Sequence, residues 1–80
     1  MSTRESVSAI LKEIKPTGNL EGIQNLVEGG YIDSFELLAL ITTISERFGI
    51  EISIDDIIPE NFNSVDTITR MVDSLIQKRG

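Results

Sequence analysis

The stretch from Ser34 to Phe48 constrains the fold more than any other part of the sequence, because it contains neither glycine nor proline. Its apolar residues recur at the spacing of one helix face, and they are Leu37, Leu40, Ile41, Ile44 and Phe48. Leu38 widens this stripe, which is typical of a helix that packs against more than one neighbour. Asp33 and Glu36 have capping-box spacing, and Gly49 is a natural stop. The sequence therefore predicts a helix over 34–48.

Weaker helical patterns lie on both sides of this segment. A first helix is expected from Ser2, which has capping-box spacing to Glu5, up to Pro16. A long connection over 17–32 follows, and its recurring apolar residues predict that it packs down on the bundle. A short helix is expected at Ile54–Ile58, closed by Pro59, and a last helix is capped by Asn63 or Ser64.

Together these elements predict an all-α bundle with three longer helices, one short helix and a long first loop. We expect residues 1–80 to form one domain, since a chain of this length has no room for a second core. The apolar interior between the second and later helices is expected to contain Leu38, Leu40, Ile41, Phe48, Ile52, Ile57, Val65 and Ile68.

The composition excludes many functions. The sequence has 0 histidines and 0 cysteines, which removes the usual catalytic triads, thiolate zinc sites and disulfides, so neither catalytic nor metal-ligating residues are expected. The net charge of −6 disfavours a nucleic-acid partner. No apolar run approaches the ~20 residues that span a bilayer, and no secretory signal is visible. We therefore expect a cytoplasmic protein, and we expect it to be a monomer.

The start of the second predicted helix is the most informative site. If Asp33 is the N-cap, Ser34 becomes the first helical residue and its hydroxyl is free to face solvent. It then lies at the positive end of the helix dipole, a place suited to a phosphate. An isolated Asp-Ser pair is more often only a helix cap, so the surrounding residues have to decide between the two interpretations.

Those residues resemble acyl and peptidyl carrier proteins. The stretch Ile32-Asp33-Ser34-Phe35-Glu36-Leu37-Leu38 resembles the family's Asp-Ser-Leu/Phe motif, which opens the second helix of a four-helix bundle. The segment Glu46-Arg47-Phe48-Gly49-Ile50-Glu51-Ile52 is similar to the end of that helix, and the likeness covers roughly residues 28–76. The Asp-Ser-Phe form is also similar to D-alanyl carrier proteins.

The resemblance implies that Ser34 is the attachment point of a phosphopantetheine arm, which a phosphopantetheinyl transferase takes from coenzyme A. Asp33 would help that transferase to position the serine. The arm carries an acyl or aminoacyl group as a thioester, so the protein would not itself be an enzyme. An acyl- or aminoacyl-loading ligase and a downstream transferase or synthase would be further partners.

The expected partner face on the second helix consists of Phe35, Glu36, Ala39, Thr42 and Glu46. In fatty-acid carriers this face holds several carboxylates, whereas here Ala39 and Ser45 stand where carboxylates are usual. This difference favours a specialised pathway over primary fatty-acid synthesis. The alternative is an unmodified acidic interaction module with the same bundle, in which Ser34 is only a cap.

Overall fold

The computed structural model describes residues 2–79 and shows helices but no strand within that range. In chain order the helices are α1 (Thr3–Ile14), α2 (Ser34–Phe48), α3 (Pro59–Phe62) and α4 (Val65–Arg79), with one 3-10 turn at Ile54–Asp56. Helix α1 packs against both α2 and α4, and α3 packs against α4. The predicted all-α bundle with three longer helices, one short helix and a long first loop is confirmed.

The ends of α1 and α2 follow from their capping residues. Ser2 Oγ accepts from the Glu5 amide at 3.1 Å, while the Glu5 carboxylate accepts from the Ser2 amide at 3.0 Å. The hydrogen bond from the Ser2 amide to the Glu5 carboxylate lowers the pKa of Glu5. Helix α2 ends where Gly49 takes the left-handed conformation with φ of 64°, which a residue without a Cβ adopts without strain.

The segment between α2 and α4 differs from the prediction in one respect. Pro59 begins α3 and does not close an earlier helix, while Ile54–Asp56 forms only a 3-10 turn. Proline suits the first helical position, because the amide hydrogen that it lacks would have no partner there and its φ is preset. The short helix therefore exists, but it lies several residues further along the chain than predicted.

The core is aliphatic except for Phe62. Its buried apolar residues are Val7, Ile10, Leu11, Leu20, Leu26, Ile32, Leu40, Ile44, Ile50, Phe62, Val65, Ile68, Met71 and Val72. Among the predicted interior residues, Leu40, Val65 and Ile68 are buried, and Ile41, Phe48 and Ile52 pack partly buried against the core.

Two residues predicted in the interior lie outside it. Leu38 is 62% exposed, because each residue turns about 100° around a helix and the adjacent Leu37 takes the inward position. Ile57 is 37% exposed. It lies between the 3-10 turn and α3, so no helix face carries it inward.

Among the described residues, three ion pairs connect α1 and its C-cap residue to the rest of the bundle. Arg4 pairs with Asp66 of α4, and Glu13 pairs with Arg47 of α2 at 3.1 Å. Lys15, the C-cap residue of α1, lies 3.3 Å from the Glu36 carboxylate of α2. The hydrogen bond and positive charge of Arg47 hold the pKa of Glu13 below its usual value.

The long loop before α2 packs down on the core as predicted. Leu20, Leu26 and Ile32 are buried, and the Ile32 amide donates to the Leu26 carbonyl at 3.0 Å. The glycine pair allows the chain to turn between these anchors. Gly30 has φ of 77°, and a Cβ on Gly29 would lie 2.6 Å from the Asn25 carbonyl oxygen.

Candidate functional site

Ser34 is the first residue of α2, and its side chain is exposed. Asp33 caps the helix, since one of its carboxylate oxygens accepts from the Glu36 amide at 2.8 Å. Glu36 completes the capping box by accepting from the Asp33 amide at 2.9 Å. The Ser34 hydroxyl is thus not used for capping, and it has no hydrogen-bond partner within residues 2–79.

The helix gives this hydroxyl a favourable position for an anion. The peptide dipoles of α2, which is 15 residues long, place partial positive charge at its first turn. A phosphodiester on Ser34 would lie at that end, beside main-chain N–H groups that a helix leaves unpaired. The exposed hydroxyl and the helix terminus therefore fit a covalently attached phosphate-containing group.

The chain on the N-terminal side of the site is anchored and not free. Ile32 is buried and its amide is hydrogen-bonded to the Leu26 carbonyl, so the chain is fixed to the core one residue before Asp33. The Ser34 hydroxyl is therefore presented at the end of a fixed loop.

Four of the five predicted partner-face residues are exposed, namely Phe35, Ala39, Thr42 and Glu46. Phe35 is 85% exposed. Glu36 is different, because its carboxylate accepts the Asp33 amide and lies 3.3 Å from the Lys15 ammonium. Its charge is largely compensated within the molecule.

Sequence reasoning missed two sets of exposed apolar side chains. Leu38 lies four residues after Ser34, so it lies on the same side of α2 as the serine. Ile54, Ile57 and Ile58 are exposed along the segment that leads to α3, at 83%, 37% and 43%. The alternation of isoleucines at 50–54 was visible in the sequence, but periodicity does not show which of them lack a neighbour.

The comparisons with known proteins agree with this geometry. A family model described as a phosphopantetheine attachment site matches residues 4–73, which include the whole of α2. The chain belongs to this family. A search of curated proteins gives no match.

Membership of the phosphopantetheine attachment site family establishes the general function. The protein is a carrier and not an enzyme, and its cofactor is covalently attached phosphopantetheine. Carriers of this family interact with a phosphopantetheinyl transferase and with biosynthetic enzymes. Within residues 2–79 there is no helix long and apolar enough to cross a membrane. The same part of the chain holds no cluster of three or more carboxylates that could bind a metal.

Proposed function

We propose that Ser34 is the residue that carries the phosphopantetheine arm, and that residues 1–80 act as one carrier domain. The observation that supports this most strongly is the free, exposed hydroxyl at the first turn of α2, with Asp33 already used as the cap. Ser2, Ser53 and Ser64 at other helix starts accept or donate hydrogen bonds there, so their hydroxyls are already engaged.

Each residue at the site has a distinct role in this proposal. Ser34 Oγ holds the phosphate of the arm, and the α2 dipole stabilises its negative charge. Asp33 fixes where the helix begins, and it is a contact for the transferase. The terminal thiol of the arm supplies the chemistry of carrying an acyl or aminoacyl group as a thioester.

Partner enzymes are proposed to recognise the partner face together with Leu38. Any enzyme that acts at Ser34 has to approach the first turns of α2, where Phe35 and Leu38 present large apolar side chains. Glu46 remains exposed near the other end of the helix. Glu36 contributes indirectly, by holding the helix start together with Lys15.

This balance of apolar and charged contacts supports a specialised pathway over primary fatty-acid synthesis. Ala39 is exposed where a strongly electrostatic docking face would carry a carboxylate, Ser45 stands at another such position, and Glu36 is already paired. The proposed partners are a ligase that loads an acyl or aminoacyl group and a downstream transferase or synthase. The protein is proposed to act in the cytoplasm, where coenzyme A is available. It is also proposed to be a monomer, and size-exclusion chromatography with light scattering can test its oligomeric state.

Intact mass spectrometry tests the attachment site. After incubation with coenzyme A and a broad-specificity transferase, the wild type should gain the mass of one phosphopantetheine group. Ser34→Ala should gain nothing, whereas Ser74→Ala, which removes an exposed serine in the middle of α4, should react like the wild type. A wild type that stays unmodified, or modification that persists in Ser34→Ala, would overturn the proposal.

A further inference from the structure

Asn63, between α3 and α4, makes all of its side-chain hydrogen bonds within residues 2–79 to the loop that precedes Ser34. It is 8% exposed. Its side-chain oxygen accepts from the amides of Val27 and Glu28, both at 3.1 Å, and its carbonyl accepts from the Leu26 amide at 2.8 Å. Its side-chain amide donates to the Glu28 carboxylate. One side chain and one carbonyl thus satisfy three consecutive loop amides.

The loop transmits this anchoring to the modification site through short contacts. Leu26 is bonded at both of its main-chain groups. Its amide donates to the Asn63 carbonyl, and its carbonyl accepts from the Ile32 amide at 3.0 Å. Between them the Gly30 amide donates to the Val27 carbonyl at 3.1 Å. Ile32 directly precedes Asp33, the cap of α2. Asn63 therefore anchors Leu26, the first residue of a hydrogen-bonded turn. The last residue of that turn, Ile32, directly precedes the capping box.

Ser64 explains why Asn63 is available for this task. The Ser64 hydroxyl accepts from the Thr67 amide at 3.1 Å and so caps α4 without help from Asn63. A neutral amide also fits the position chemically, because its oxygen accepts two N–H groups while its nitrogen donates to a carboxylate. An aspartate would keep the acceptor but lose the donor.

We propose that Asn63 is a positioning residue for phosphopantetheine attachment, which acts by fixing the 26–32 turn and through it the start of α2. The inference depends on the proposed function of Ser34. Asn63 contacts neither the serine nor the capping box, so its effect passes through the turn. Without its hydrogen bonds the turn opens locally, and Ser34 is presented in many orientations instead of one.

The Glu28 contact provides a charge-matched test. Asn63→Asp keeps the size and the acceptor, but it places a second carboxylate against Glu28, so the turn should open. Adding Glu28→Gln should close it again, because the glutamine amide donates to the new carboxylate. The double variant has the same net charge as the wild type. Asn61→Ala is the matched control, since Asn61 lies on the same segment and, within residues 2–79, its side chain bonds only to the Asp56 carbonyl.

Two quantities should be measured under conditions in which circular dichroism shows every variant folded. The first is the hydrogen exchange rate of the Val27 and Glu28 amides, and the second is kcat/KM of the transferase for the apo protein. Asn63→Asp should raise exchange at least 10-fold and lower kcat/KM at least 5-fold. The double variant should recover to within about 3-fold in both, and Asn61→Ala should change neither.

Several results would overturn the inference. Wild-type exchange rates in Asn63→Asp would show that Asn63 does not hold the turn. Faster exchange with unchanged kcat/KM would assign it a purely structural role, and failure of Glu28→Gln to restore both quantities would exclude the proposed pairing. If Asn63→Asp does not fold, Asn63→Ala replaces it, because it removes both the acceptor and the donor without adding a charge, and unchanged exchange and kcat/KM there would equally overturn the inference.

The wild type separates this inference from the proposed function. If it is modified at Ser34 and only the variant results fail, the positioning role of Asn63 is wrong and the carrier site stands. If the wild type is not modified at Ser34, the proposed function fails and the positioning role fails with it.

Discussion

Phe35 is the most exposed large apolar side chain in the described part of the molecule, and it adjoins Ser34. An aromatic ring left in water next to the proposed attachment site has little to contribute to folding, but it offers a large contact area to a partner. Glu46 lies on the same face, and a single exposed charge is screened at physiological salt. Substitutions at Phe35 and at Glu46 can therefore show whether partners recognise this face mainly by apolar contact or by charge.

We expect Phe35→Ala to lower kcat/KM of the cognate loading enzyme by about 10-fold or more, in the range of an interface hot spot. Glu46→Gln should lower it by less than about 3-fold, as is typical of an exposed rim charge. Steady-state kinetics at low and physiological salt would measure both. A larger effect of Glu46→Gln, with steep salt dependence, would contradict the apolar interpretation and favour the fatty-acid type of recognition.

Glu13 makes folding stability depend on pH. Because Arg47 lowers its folded pKa, the pair stabilises the fold above the ordinary glutamate pKa of roughly 4.3, and this contribution is lost as pH falls through the lowered value. Glu13→Gln should therefore be less stable than the wild type at pH ~6, with the difference shrinking toward zero by pH ~3.

Urea unfolding at a series of pH values would measure the Glu13 effect. Glu46→Gln removes one carboxylate without breaking an ion pair in the described residues, and it serves as the control. A Glu13→Gln deficit that stays constant from pH 6 to pH 3 would show that the lost contact is not the charged pair.

At the scale of elements, the two capping boxes offer a direct comparison. Ser2 caps α1 and Asp33 caps α2 with the same pattern of reciprocal hydrogen bonds. Only the second adjoins Ser34. The same kind of substitution at the two caps should therefore weaken folding alike but affect the modification differently.

Ser2→Ala and Asp33→Ala should each lower the free energy of unfolding by about 0.5–2 kcal/mol, the usual cost of a lost N-cap. Only Asp33→Ala should also slow phosphopantetheine attachment. Urea unfolding and transferase kinetics on the same samples would show this. Equal attachment rates in the two variants would mean that Asp33 acts as a cap and nothing more.

The caps also explain which elements could be predicted from the sequence. The ends of α2 are determined by neighbouring residues, with Asp33 and Glu36 at one end and Gly49 at the other, so both were predicted correctly. Pro59 was assigned wrongly because proline both follows helices and begins them. Which one occurs here depends on how the Ile54–Ile58 segment packs, and the local sequence does not contain that information.

Only the part of the candidate site that depends on local residues could be predicted from the sequence. The position of Ser34 at the start of α2 depends on local caps and was predictable, whereas the compensation of Glu36 by Lys15 depends on how α1 meets α2. The contacts of Asn63 reach 35 and 36 residues along the chain. The sequence gives one indication of this role of Asn63. Ser64 alone can cap α4, so Asn63 is not needed as a helix cap.

At the scale of the whole molecule, stability depends on a small core centred on α1, α2 and α4. Phe35 and Phe62 differ strongly in burial, since Phe35 is 85% exposed and Phe62 is 0% exposed. The same substitution at both therefore compares core packing with surface exposure in one chain.

Phe62→Ala should lower the free energy of unfolding by about 3–5 kcal/mol, from lost burial and the cavity left behind. Phe35→Ala should change it by less than about 0.5 kcal/mol, as at an ordinary surface position. Chemical denaturation followed by circular dichroism would measure both. A substantial loss in Phe35→Ala would show that the ring is packed and unavailable to partners.

The packing of α1 on α4 has a consequence for how the chain folds during synthesis. Val7, Ile10 and Leu11 of α1 lie in the same core as Val65, Ile68 and Val72 of α4. The part of the α1 face that packs on α4 therefore stays uncovered until α4 follows it in synthesis, since α2 covers only the rest of α1. Because non-local contacts form late, the nascent chain should remain open to chaperones and proteases until α4 has emerged, and a ribosome stalled before residue 65 should hold it unfolded.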